Sequence, residues 1–139
     1  MNERECQTYG RSGGKTMTQN GSVYTDMEDS EKEVAEYLKQ LRIYWLYESP
    51  IFVYDEKGRP RVWTPDFYLP QFGIYIEVCG SENFDYEYRK KIYQDNQIHV
   101  IYIHWYKDKD QWKNHFNKKL LEIEEYRHST VMQMINKLL

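Results

Sequence analysis

Thr64-Pro65-Asp66-Phe67-Tyr68-Leu69-Pro70 is followed by Gln71-Phe72-Gly73 and then by Ile74-Tyr75-Ile76-Glu77-Val78-Cys79-Gly80. In the second run Ile74, Ile76 and Val78 alternate with Tyr75, Glu77 and Cys79, the period of a strand with one buried face. The first run closes a strand expected from Arg61 to Leu69, and Pro70 to Gly73 reads as the turn between the two. An acid inside each strand is out of keeping with strand propensity. Neighbouring strands would bring Asp66 and Glu77 to one end of the sheet.

Working outward, Asn83 to Asp95 reads as a helix and Val100-Ile101-Tyr102-Ile103 as a buried strand. Asp110 to Tyr126 carries an apolar stripe of Trp112, Phe116, Leu120 and Ile123 at helical spacing. A further helix is expected over Thr130 to Leu139, with Val131, Met134, Ile135 and Leu138 on one face. Upstream, Ser30-Glu31-Lys32-Glu33 has the form of a capping box, Ser30 as N-cap and Glu33 at N3, opening a helix over 30–42. Ile43 to Tyr54 reads as a strand interrupted at Pro50, joined through the Asp55 to Pro60 turn to the strand from Arg61 as an antiparallel hairpin. Helix, three strands, helix, strand, helices describes an α/β fold with a mixed central sheet flanked by helices. The third strand, its helix and the fourth strand predict a right-handed crossover. Residues 1–28, rich in Gly, Ser, Thr, Gln and Asn, show no sustained period and read as a disordered head. Residues 29–139 form a single expected domain.

The chain has 139 residues, 40% apolar, with a net charge of −3. That length suits one domain with its own core. A mean hydropathy of −0.90 leaves no segment for a membrane span. The polar start lacks a signal-peptide core. Two cysteines, Cys6 and Cys79, cannot build a disulfide framework, and the reading is a reducing, cytoplasmic setting. The acidic balance argues against a general nucleic-acid sponge, but acidic metal sites lower net charge without excluding a local phosphate-binding face. The 14 tyrosines suit half-buried sheet surface first and base stacking second.

Two carboxylates at one point repel each other unless a cation joins them. Magnesium or manganese suits such a pair, being hard, oxygen-seeking and often only partly coordinated by protein. Such a metal polarises a phosphate and activates a water. Glu33 could supply a third carboxylate, or serve only as the partner of Ser30 in the capping box.

The core from Thr64 to Pro70 and from Ile74 to Gly80 resembles the PD-(D/E)xK, restriction-endonuclease-like nuclease superfamily. Ser30-x-x-Glu33-Val34-Ala35-x-x-Leu38 resembles its first-helix acid, and the Tyr86 to Tyr93 helix and Val100–Ile103 strand fall where the family places them. The resemblance covers residues 30–105 and is nearest to small nuclease domains found alone or attached to helicases. Very-short-patch repair and transposon-end nucleases are more distant. It implies a restriction-endonuclease-like fold and a magnesium- or manganese-dependent DNA endonuclease of repair, recombination, mobile elements or phage. Asp66, Glu77 and the Val78 carbonyl would hold the metal, with Glu33 auxiliary. The family's lysine is Cys79 here, so the resemblance implies a cation from the next helix, Lys90, or an inactive domain that binds nucleic acid or protein. Arg89 and Lys91, and further on Lys118 and Lys119, are candidates for phosphate contacts. A homodimer through the last helix would bring two sites to two strands. A protein-binding adaptor of a mobile element or phage is a third reading. The histidines are scattered without metal-ligand spacing, and Cys79 has no histidine placed to make it a nucleophile.

Overall fold

The computed structural model describes residues 23–80, 86–107, 109 and 111–139. It is a mixed α/β fold. A four-stranded sheet has the order β1-β4-β5-β6, with a separate two-stranded sheet of β2 and β3. The strands are β1 Leu46–Tyr47, β2 Ile51–Tyr54, β3 Pro60–Trp63, β4 Phe67–Leu69, β5 Ile74–Cys79 and β6 Val100–His104. The helices are α1 Asp29–Gln40, α2 Tyr86–Asp95 and α3 Trp112–Leu138. The first residues of the helix expected from Asn83 lie outside the described residues.

The strand from Ile74 and the parallel strand after α2 form as expected. β5 pairs with β4 antiparallel and with β6 in parallel. The expected long hairpin does not form as one unit. β2 pairs with β3, whereas β1 pairs with β4 in the other sheet. Breaks fall at corresponding places. Glu48 takes a positive φ of 55° ahead of Pro50, and Pro65, which has no N–H to donate, separates β3 from β4.

Alternation along the sheet sorts the side chains into two layers. Phe67, Leu69, Ile74, Ile76, Ile101 and Ile103 join the main core with Val34, Ala35 and Leu38 of α1 and Trp112 and Phe116 of α3. Tyr102 and Val100 belong to a second cluster around Val53, Ile92 and Tyr93, built by α2 and the β2–β3 hairpin. The carboxylates lie where these layers meet the end of the sheet.

Two expected boundaries are corrected. Residues Val23–Asp26 form a 3-10 turn, and Val23 and Met27 are buried in the main core, so the ordered fold begins inside the expected head; residues 1–22 lie outside the described residues. Helix α1 begins before Ser30. Its N-cap is Glu28, whose N–H donates to Glu31 Oε1 at 3.0 Å. Acids at Asp29 and Glu31 suit the positive end of the helix dipole. The helix closes in a Schellman arrangement, with Ile43 N–H donating to the Leu38 carbonyl and Arg42 at a φ of 58°.

The two expected terminal helices are one helix of 27 residues, about 40 Å long. His128-Ser129-Thr130 contains no glycine or proline to stop it, and Thr130 Oγ1 donates back to the Tyr126 carbonyl at 2.9 Å. Arg127 ties the helix to the β4–β5 turn by donating to the Phe72 carbonyl and, at 2.8 Å, to that of Gly73. Residues 131–139 are all exposed. Ending the chain after Ser129 is therefore expected to move the thermal midpoint by no more than about 2 °C, measured by calorimetry. Among the described residues no helix is long and apolar enough to cross a membrane.

Candidate metal and phosphate site

Pro65 shapes the site. Phe67 lies opposite Ile76 in the β4–β5 register, so the next position places Asp66 opposite Glu77 and Pro65 opposite Val78. Proline cannot continue the ladder. The Val78 N–H instead donates to Asp66 Oδ2 at 2.7 Å, which turns this carboxylate onto the end of β5. Glu77 is 5% exposed on the neighbouring strand. Its Oε2 is held by the Arg89 guanidinium from α2 in an ion pair. Arg89 also lies over the Trp63 ring, 5.1 Å from its centroid, so the hairpin sets the position of the cation.

A third acid stands close by. Glu31 is 8% exposed and accepts from Tyr47 Oη, at 3.2 Å to Oε2. Burial, then the charge of Glu77, hold the Asp66 carboxyl well above the ordinary carboxylate range, against the pull of the Val78 N–H. Glu31 adds to that rise. Burial also raises Glu77, with Arg89 opposing it. Carboxylates raised together form an electrostatically unsatisfied cluster of the kind found at functional sites.

Asp66 and Glu77 thus come together as the sequence predicts. Glu33 does not join them. It is exposed, and its Oε2 accepts from Trp105 Nε1 at 2.7 Å. Residues two apart on a helix do not share a face, so the two-residue shift in the start of α1 puts Glu31 beside Asp66 and turns Glu33 away. Glu33→Gln is expected to leave any metal-dependent activity within about twofold, whereas Glu31→Gln lowers it by about tenfold or more. Side-by-side rate measurements check this.

The two neighbouring cations of α2 have different partners. Lys90 lies 3.4 Å from Glu87 Oε1 and 5.2 Å from the centroid of the Tyr102 ring, partly exposed. Arg89, expected on phosphate, is instead the group paired with Glu77. Lys91 is exposed on the outer side of α2. Cys79 is fully buried and burial pushes its thiol up to about 12, so it supplies neither charge nor nucleophile at neutral pH.

The donor chemistry fits a hard divalent cation. Among the described residues no group of three or more His, Cys, Asp or Glu side chains is placed to hold a metal ion. Magnesium does not need such a group, since it is usually held by one or two carboxylates with water and substrate phosphate. Asp66 and Glu77 are the carboxylate pair that could hold it in this way. No family model, curated protein or solved structure matches the chain.

Proposed function

We propose that this protein is a metal-dependent DNA endonuclease of restriction-endonuclease-like fold. The observation that carries the reading is the meeting of Asp66 and Glu77 at the end of two paired strands, Glu77 buried, Asp66 partly buried and both raised. The sequence resemblance and the β4, β5, α2, β6 order support it. Asp66 and Glu77, with the Val78 carbonyl beside them, would hold magnesium or manganese, which when bound supplies Lewis-acid polarisation of a phosphodiester and a more acidic water. The chain's own contribution is positional. The Val78 N–H and Arg89 fix the two carboxylates. Glu31 is the third acid of the cluster, beside Asp66. Arg89, always charged, balances negative charge where Cys79 cannot. In this reading the protein works in the cytoplasm on DNA, and a second copy meeting the exposed end of α3 would bring a second site to the second strand.

One observation favours a different reading. Arg89 already neutralises Glu77, so the cluster is tolerable without a metal, as in a nuclease-like domain kept only for binding nucleic acid or protein. Supercoiled plasmid incubated with magnesium, manganese or chelator separates the two. The endonuclease reading expects relaxation that needs metal and disappears in Asp66→Asn. Intact plasmid with either metal, alongside DNA binding that survives Asp66→Asn, would establish the binding module instead.

A further inference from the structure

A groove of about 920 Å³ runs along β6, between α2 and α3. β6 is the edge of the sheet. Tyr75 N–H donates to the His99 carbonyl at 2.9 Å, so by the alternation of a parallel ladder Val100 and Tyr102 turn their backbone N–H and C=O away from β5. On one side the groove is lined by Lys90, Tyr93 and Tyr102, and on the other by His115, Lys119 and Tyr126. Lys90 sits over the Tyr102 ring. Tyr126 faces the His99 ring, 6.2 Å between centroids. The walls therefore combine aromatic faces, ammonium groups and backbone donors.

Two buried hydroxyls make this more than a surface furrow. Tyr93 Oη and Tyr102 Oη have no hydrogen-bond partner among the described residues, and Tyr93 is only 1% exposed. Buried hydroxyls without partners are rare in native folds and call for a ligand or water. Tyr102 is also the register partner of Glu77 across β5 and β6. Tyr102, which walls the groove, thus borders the carboxylate cluster.

We infer that this groove is a subsite for single-stranded nucleic acid, taking the strand that leads away from the carboxylates. Bases stack on the accessible rings of Tyr102, Tyr126 and His99, and phosphates meet Lys90, Lys119 and the open edge of β6. Stacking platforms with lysines bind single strands with little sequence preference and strong salt dependence. The inference rests on the endonuclease reading for its place in a reaction, and it gives that reading a substrate class: DNA carrying a single-stranded arm.

The test is fluorescence anisotropy with a short, labelled, 5′-phosphorylated oligothymidylate in chelator, so that cleavage plays no part. Lys119, in an exposed ion pair with Glu122 at 3.2 Å, and Tyr126 both lie on the exposed side of α3, which keeps Lys119→Glu and Tyr126→Ala folded. Each is expected to weaken binding by about tenfold, with Lys119→Arg close to wild type and Asp66→Asn binding at least as well. The wild-type affinity falls steeply with salt. An oligonucleotide that does not bind, or an affinity indifferent to both substitutions, overturns the inference. Groove-dependent binding by a protein that cuts no DNA with any metal would end the endonuclease reading and leave the groove assignment standing.

Discussion

Asp66→Asn is expected to abolish metal-dependent cleavage and, in chelator, to make the protein more stable. The direction follows from the proton balance. Burial and Glu77 hold the folded Asp66 carboxyl above the ordinary range. Between the ordinary carboxylate pKa and the raised one, the folded chain keeps a proton that the unfolded chain has lost. Stability therefore falls as pH rises through that window. Asparagine carries no charge and keeps an oxygen for the Val78 N–H, so it removes the cost without removing the hydrogen bond. The gain should be about 1–3 kcal/mol at neutral pH, or several degrees in thermal midpoint, and should shrink toward pH 4. Saturating magnesium should stabilise the wild type and leave Asp66→Asn unmoved. Calorimetry at several pH values, with and without metal, measures all of this. A substitution that destabilises the protein equally at every pH would show Asp66 to be an ordinary structural carboxylate.

Arg89→Ala carries the second large effect, in the opposite direction. Glu77 has 7% of its side chain exposed and Arg89 only 23%. Removing the guanidinium leaves a buried carboxylate without its counter-ion, which costs about 3 kcal/mol or more. The Glu77 carboxyl then rises further, so the loss is largest above its new pKa and recedes as the medium is acidified and Glu77 takes up a proton. Glu77→Gln in the Arg89→Ala background should recover much of the stability. Urea denaturation at neutral and acidic pH, with the double variant as control, is the appropriate measurement. Equal losses at both pH values and no recovery in the double variant would mean that Arg89 acts through its packing on Trp63 alone.

The sheet centre was legible because its signals are local. Ile74, Ile76 and Val78 alternate with Glu77, and Pro65 marks the end of a ladder beside Asp66. The third acid was not legible. Ser30 to Glu33 satisfies the spacing of a capping box as well as Glu28 to Glu31 does. What decides between them is tertiary: Val23 and Met27 fill the core, and the Tyr47 hydroxyl reaches Glu31. Arg89 and Lys90 are neighbours in sequence and equivalent in charge, and only the position of Trp63 on a distant strand shows which of them meets Glu77. The split hairpin follows from two prolines, Pro50 and Pro65, whose combined effect depends on their facing breaks falling together. The single long α3 followed from the absence of any breaker between its two apolar stripes.

The most direct test of the central claim is calorimetric titration of the full chain with manganese, beside Asp66→Asn, Glu77→Gln and Glu33→Gln. The account predicts binding by the wild type and by Glu33→Gln, lost in Asp66→Asn and Glu77→Gln, and weaker at acidic pH because protons compete for the same carboxylates. Manganese affinity unchanged in Asp66→Asn and Glu77→Gln would contradict it.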